Sequence, residues 1–453
     1  MTRRNSTPAA GGTLTPGQEA LWLVQHLDPQ GAAYNVTAAL DLLFTVDATV
    51  LEQAAGAAVT GHALLGSLFA QGDDGRIRRT PAPTPFALER YEPGLAGEEL
   101  RAFALRLSRR PFRPAHERPV RIALIRPRTG PDVLLATAHH IAADNISQLL
   151  LCREILSRYA ALRAGRPYTA RDTGAAFEDF AQVQRAYLAS SRAERARAYW
   201  ARELGGVTAH LQLPTDLPRP ALWRQAGAEV RVDLPAGLVA DLDAAAAERN
   251  VTAFALLLSV FAVLLHRASG QREFLVGYPV SQRQGARWRD AMGYFVNTLP
   301  LRARVDPGDS FEAVLRRTSL RLWQGLLHRD YPFALLAGLT GLPRDPSRPG
   351  PVQVLFVLNE PGGADPIAGA LTPGAVVEHA GLRVAEFALP QQHGQFELTL
   401  QLTRHAAGFQ AVLKYHTSLF TAGAAGALAE EYVRLLRAAV AGTLVPAASP
   451  APA

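Results

Sequence analysis

His139 and His140 stand side by side at the end of an apolar run, in the stretch ATAHHIAADNIS from Ala136 to Ser147, and Asp144 follows four residues after His140. Two imidazoles and a carboxylate in one tight turn suggest proton-transfer chemistry. A neutral imidazole is the natural general base near pH 7. Successive side chains at a strand end point to opposite faces, so one histidine is expected to face the buried side of a sheet and the other a cleft. Asp144 could hold the turn by pairing with an arginine. No third ligand stands at a spacing useful for zinc, so no metal is expected. No serine lies in a nucleophile-elbow context. The chemistry implied is base-assisted attack by an amine or hydroxyl, without a covalent enzyme intermediate. The same residues also allow a structural reading, in which Asp144 or Asn145 caps the next helix and both histidines merely pack.

The elements that must position this turn are legible on either side. DVLLATA (Asp132–Ala138) is an apolar run of strand length, and ISQLLLCREILSRYAAL (Ile146–Leu162) carries apolar residues near a helical stripe. TAFALLLSVFAVLLHRA (Thr252–Ala268) is apolar almost all round, which predicts a buried helix with Thr252 as its cap. REFLVGYPV (Arg272–Val280), FVNTLPLRARV (Phe295–Val305), VQVLFVL (Val352–Leu358), FELTLQL (Phe396–Leu402) and FQAVLKYH (Phe409–His416) read as strands. Asp309 and Glu312 stand at capping-box spacing before a helix that runs to about Arg329. The polar helical stretch Phe177–Arg202 could join two lobes, and the Gly-, Ala- and Pro-rich segment Pro361–Pro390 reads as a long loop. The class is α/β or α+β with a mixed sheet.

Composition narrows the functional classes. The chain of 453 residues is 48% apolar and 19% charged, values of a globular protein with ample core. No apolar run reaches membrane-span length, and Met1–Thr13 has no apolar secretory core. The lone Cys152 excludes an internal disulfide and a cysteine-rich zinc site. A cytoplasmic location is expected, with no membrane partner. The net charge of +7 is carried almost wholly by arginine, Lys414 being the only lysine. No basic block with interleaved aromatics and no nucleic-acid motif accompanies that charge. It would still attract an acidic protein partner.

Read together, the stretches resemble the condensation domains of nonribosomal peptide synthetases. The HHxxxDG signature of that family reads His139-His140-Ile141-Ala142-Ala143-Asp144-Asn145, with Asn145 in place of glycine. LTPGQEALWLV (Leu14–Val24) is similar to the opening SxAQxRLWFL motif, with Ala20 for arginine. GHALLGSLF (Gly61–Phe69) is similar to RHxxLRTxF, with Gly61 and Gly66 for its arginines. RPFRPAHERPVRIALIR (Arg110–Arg126) resembles the stretch before the histidine strand, and FEDFAQVQ (Phe177–Gln184) is similar to YxDFAxWQ. VGYPVSQR (Val276–Arg283), MGYFVNTLPLR (Met292–Arg302), HRDYPF (His328–Phe333) and PRDPSRPGPVQVLFVL (Pro343–Leu358) follow in the family order.

The resemblance implies two lobes, each similar to chloramphenicol acetyltransferase, meeting in a V around a central tunnel. The expected organisation is a flexible tail at 1–13, an N-terminal lobe at 14–176, a C-terminal lobe at 177–445 and a Pro/Ala-rich tail at 446–453. Within the second lobe it implies a floor crossover near 278–297 and a latch near 361–390. His140 would act as the catalytic base on an acceptor attacking a donor thioester. His139, Asp144, Asn145 and Arg283 would support the site, with Asp144 paired to Arg283, and Asn297 would line it or brace a strand turn. Asn145 is expected to preserve a glycine-like turn, because asparagine tolerates the left-handed region. No cofactor would be bound by the chain itself; substrates would arrive on the phosphopantetheine of carrier proteins. The expected partners are a donor peptidyl carrier protein and an acceptor carrier protein or free small nucleophile, acting on a monomer. The expected reaction is amide formation. Ester formation, epimerisation, a coenzyme A-dependent acyl transfer and a non-catalytic recruiting role are the alternatives. The start at Met1 and the Pro/Ala-rich end favour a free-standing enzyme over an excised domain.

Overall fold

The structure is a computed structural model that describes residues 12, 14–169, 176–360, 375–390, 394–405 and 408–446. The expected tails fall almost wholly outside those residues, as does 361–374 of the expected latch.

From the N-terminus, helix α1 (Pro16–Leu27) leads to strand β1 (Asn35–Leu42) and helix α2 (Ala48–Gly61). Strands β2 (Ser67–Gln71), β3 (Ile77–Pro81) and β4 (Glu89–Tyr91) precede helix α3 (Gly97–Ser108). Strands β5 (Val120–Ile125) and β6 (Asp132–His139) then run into helices α4 (Asn145–Arg163), α5 (Ala176–Leu188) and α6 (Ser191–Leu204). Strand β7 (Ala228–Pro235), helices α7 (Ala236–Glu248) and α8 (Ala253–Ser269) and strand β8 (Glu273–Ser281) follow. The short helix α9 (Ala286–Arg289) separates β8 from β9 (Val296–Arg304), and α10 (Phe311–Leu327) precedes β10 (Val354–Asn359). The chain closes with β11 (Val376–His379), β12 (Leu382–Glu386), β13 (Leu398–His405), β14 (Gly408–Tyr415) and α11 (Ala422–Val440).

These elements gather into two compact units. The first holds Met1–Ala189, Arg283–Phe295 and Ala364–Gln391; the second holds Ser190–Gln282, Val296–Gly363 and Gln392–Ala453. Helix α5, expected to open the second lobe at residue 177, therefore clusters with the first unit. Its aromatic side chains explain this: Phe177 and Phe180 both pack on Phe295 at ring distances of 5.1 and 4.8 Å, and Phe180 meets Trp288 edge-on.

The first unit is built on a six-stranded sheet in the order β11-β12-β1-β6-β5-β4. Strand β6 is interior, antiparallel to β1 on one side and β5 on the other. Its alternate residues go to opposite cores. Leu134, Ala136 and Ala138 join the cluster that includes α2 and α4, while Val133 and Leu135 join a smaller cluster with Leu100 and Ala104 of α3. Both faces are thus covered, which is why the strand reads as a continuous apolar run rather than as an alternation. The second unit has its own six-stranded sheet, β7-β14-β13-β10-β8-β9. The largely apolar α8 is buried there from Ala255 to His266, capped by Thr252 Oγ1 accepting from Ala255 N at 3.1 Å.

Two local expectations are corrected. Helix α10 is capped by Ser310, whose Oγ accepts from Ala313 N at 3.2 Å, and Asp309 instead pairs with Arg317. Ser310 wins because its short hydroxyl reaches the N3 amide directly. The segment 375–390, read as loop, contains the hairpin β11–β12. Its two-residue turn has Ala380 at φ 53° and Gly381 at φ 77°. Positive φ at both central positions matches the twist that tight hairpins favour.

Candidate active site

Strand β6 ends at His139, opposite Asn35 of β1. The chain leaves the sheet there in a turn that backbone groups fix: His140 N donates to Tyr34 O at 2.7 Å and Ala142 N to His139 O at 3.0 Å. Gln18 of α1 adds a bond from its amide to Ile141 O at 2.8 Å. The two imidazoles part company as the strand geometry requires. His139 is fully buried. Its Nδ1 accepts from Ile141 N at 3.2 Å, so Nε2 carries the proton and donates to Gln25 Oε1 at 3.2 Å. Burial, with His140 beside it, pushes His139 down to about 3, so it stays neutral and structural.

His140 is only partly buried. Its Nδ1 lies 2.8 Å from Ala143 O, an acceptor, so Nδ1 holds the proton and Nε2 keeps its lone pair. Burial lowers its pKa below the usual histidine value, and Asp144 and the Ala143 carbonyl offset that only in part. The ring is therefore a neutral imidazole with its basic nitrogen preset. The ring of Tyr294 stands across it at 84°, with centroids 5.1 Å apart.

Asp144 faces the other way. It is 4% exposed and caps α4, accepting from Ser147 N at 2.9 Å. The same carboxylate forms a bidentate pair with Arg283, one arm of which is 2.8 Å long, and accepts from Phe295 N at 3.1 Å. Burial opposes its ionisation, but the Arg283 charge and the Ser147 and Arg283 hydrogen bonds outweigh that and hold it below the usual carboxylate value. Ser147 Oγ completes the cluster: it lies 2.8 Å from Asp144 Oδ1 and accepts from Gly293 N at 3.0 Å and from Arg283 at 2.8 Å. Arg283 also lies over the Phe295 ring, 4.4 Å from its centroid. Residues 283–295 are thereby fastened to the start of α4. Gly293 is required at the fastening point, because the ring of Phe177 occupies the place a Cβ would take.

Asn145 sits differently from expectation, and Asn297 takes the second of its two expected roles, bracing a turn. Asn145 is the first residue of α4, and among the described residues only Asn250 and Ala380 are non-glycine with positive φ. The left-handed turn expected there is absent, because Asp144 is the cap and the residue after a cap is already helical. The Asn145 side chain is exposed. Asn297 belongs to the second unit, and its amide is consumed by backbone: it donates to Arg329 O and Tyr331 O, both at 2.8 Å, and accepts from Phe333 N at 2.9 Å. It braces the turn after α10 rather than presenting a free amide. Reading by motif gave no role to Ser147, Gln18, Tyr34 or Tyr294 around the histidine turn. Ser147 was within reach, three residues after Asp144 at the spacing of a capped amide; the tyrosines carried no local signal.

The model of the family described as Condensation domain matches residues 12–451. The chain belongs to the condensation domain family. Condensation domains form amide bonds in nonribosomal peptide synthesis. Among curated proteins it is 31% identical to phosphinothricin tripeptide synthetase PhsC of Streptomyces viridochromogenes, over 94% of this chain and 39% of that protein. It is 28% identical to tyrocidine synthase 2 of Brevibacillus parabrevis, over 96% of this chain and 12% of that protein. The chain thus spans less than half the length of these relatives. Among solved structures, the fold matches the X-domain from teicoplanin biosynthesis with a TM-score of 0.85 at 24% identity, covering 97% of this chain and 98% of that one. It matches the first condensation domain of the calcium-dependent antibiotic synthetase with a TM-score of 0.74 at 24% identity, covering 97% and 98%. The two-lobe α/β condensation fold is therefore that of this chain, and the HHxxxDG signature of the condensation domain maps onto the turn that presents His140.

Proposed function

We propose that this condensation domain joins an acyl or aminoacyl thioester, delivered on the phosphopantetheine arm of a carrier protein, to an amine acceptor, with His140 as the base. The observation that carries the proposal is the fixed tautomer: Nδ1–H is committed to Ala143 O, leaving Nε2 as the acceptor of a proton. A thioester is already activated and an amine is a good nucleophile once neutral, so little more is needed. Holding both reactants in register can supply up to roughly 7–11 kcal/mol of barrier reduction. A positioned base adds about 10²–10⁴-fold in rate. Asp144 and Arg283 do no chemistry in this scheme; they hold the turn that aims His140. The chain requires no bound cofactor, since both the activated bond and its tether come with the substrates. A purely recruiting role would leave the preset imidazole without purpose.

The test is to mix the protein with carrier proteins loaded with aminoacyl groups and with amine acceptors, and to read products by intact-protein mass spectrometry. Transfer is expected with the native protein and not with His140→Ala. Equal transfer by both proteins would refute the base role, and none by either, across a broad panel of donors and acceptors, would refute the condensing activity.

A further inference from the structure

Beside His140 lies a phenol that the scheme above does not use. Tyr294 sets its ring across the imidazole, and Tyr34 supplies the carbonyl that accepts from His140 N. Both rings pack on the core of the first unit. Tyr294 is confined from a third side, because a Cβ on Gly17 of α1 would lie 2.7 Å from its Cε1. Position 17 is thus glycine where the phenol ring needs the space. Both residues are partly buried, and among the described residues neither hydroxyl has a hydrogen-bond partner. Buried tyrosine hydroxyls ordinarily find a partner in their own protein. A clamped ring set across a base, with a hydroxyl unpartnered among the described residues, is an arrangement suited to a ligand that is bound only in turnover. Burial, reinforced by the nearby Tyr34 and Asp144, pushes Tyr294 ionisation far above the neutral range, so the group remains a donor throughout.

We propose that Tyr294 is a catalytic residue whose hydroxyl donates a hydrogen bond to the carbonyl oxygen of the donor thioester as that oxygen becomes an oxyanion. This rests on the acyl-transfer reading of the site. The amine nitrogen forms a bond to the carbonyl carbon, and the carbonyl π pair moves onto the oxygen, which accepts from Tyr294 Oη. His140 Nε2 takes one proton from the nitrogen. The oxyanion pair returns, the C–S bond breaks and its electrons leave on sulfur. The imidazolium returns the proton to the thiolate, so amide and free thiol form with no net change in the protein. Of the other polar groups at this turn, Asp144 is anionic and committed to Arg283, and His139 is committed to Gln25 and Ile141. The amide of Asn145 and the first N–H groups of α4 are the competing donors, and they decide the alternative outcome.

Tyr294→Phe keeps the ring that rests on His140 and removes only the donor. Native protein, Tyr294→Phe and His140→Ala would be assayed with leucyl- and octanoyl-loaded carrier proteins and a panel of amino-acid amides as acceptors. The expected result is a fall in kcat of about 10²–10³-fold for Tyr294→Phe, the range for one lost oxyanion donor. Its KM for the loaded carrier, melting temperature and the acid-limb midpoint of its pH profile should match the native protein. Native-like kcat would overturn the proposal, leaving condensation intact and the α4 amides as the donors. A displaced acid limb would also overturn it, by showing that Tyr294 acts through His140. Inactivity of the native protein on the whole panel, with no difference in His140→Ala, would instead remove the acyl-transfer reading and this proposal with it.

Discussion

Removing the carboxylate of Asp144 should cost the protein stability before it costs chemistry. The Asp144 and Arg283 side chains are only 6% and 5% exposed. Breaking a buried pair from one side typically costs about 3–5 kcal/mol, because the surviving charge stays desolvated. Asp144→Ala also removes the α4 cap, worth about 1 kcal/mol, and strips Phe295 N of its acceptor. Arg283 would retain Ala291 O at 3.2 Å and Ser147 Oγ at 2.8 Å, which limits the loss. We therefore expect about 4 kcal/mol for Asp144→Ala, and a smaller loss of about 3 kcal/mol for Arg283→Ala, where cap and Phe295 bond survive. For a unit of this size each kcal/mol moves the melting temperature by roughly 2–4 °C, so Asp144→Ala should melt about 10–15 °C lower. The double variant should lose far less than the sum, with a coupling of about 2–3 kcal/mol. Thermal melts of all three variants by circular dichroism supply the cycle. Additive losses, or a loss below about 1 kcal/mol for Asp144→Ala, would refute the account of a tight pair.

The sign of the pH effect follows from the same pair: the Asp144 pKa is depressed in the folded state, so its stabilisation is present above the unfolded value near 4 and lost as pH falls below it, which acid titration of native and Asp144→Asn proteins would show. His140→Ala should melt normally and lose about 10²–10⁴-fold in condensation rate. Because burial lowers the His140 pKa, the acid limb of kcat/KM in the native protein should fall below pH 6.5; a midpoint above 6.5 would contradict the buried, neutral imidazole. Asn145→Val should change stability by no more than about 1 kcal/mol, since the position is helical and exposed, and a collapse of folding would restore the left-handed turn.

The histidine turn was legible because its parts are contiguous: an apolar strand, two imidazoles and a capping acid lie within a dozen residues, and local rules govern each. Arg283 stands 139 residues from its partner, and only the family motif linked them. Asn145 was misread for a local reason. Glycine at that place suggested an unusual φ, whereas the cap one residue earlier makes the position an ordinary first helical residue. The hairpin β11–β12 went unread because strands of four and five residues are too short for a period to show, and Ala380 does not advertise a positive φ. Tyr294 was quoted within a motif yet had no role there. Its meaning comes from a tertiary contact with His140, and from a glycine at residue 17 that says nothing alone.

The edge hairpin also governs when this protein can become itself. Strand β1 is made long before its outer partner β12, which pairs with it at Leu40–Leu42 only once Leu382–Glu386 exist. At ribosomal speeds of about 5–20 residues per second, that leaves β1 waiting for on the order of tens of seconds. Through that interval the nascent chain presents an open strand edge, and the acid at Asp144 waits likewise for Arg283. Long-range pairing of this kind slows folding and invites wrong partners. It also means that a cut after Ala189 would not release a finished first unit, since the missing strands and the arginine lie downstream. A hybrid joined between α5 and α6 would therefore trade its β11–β12 hairpin and its Arg283 for those of the other parent.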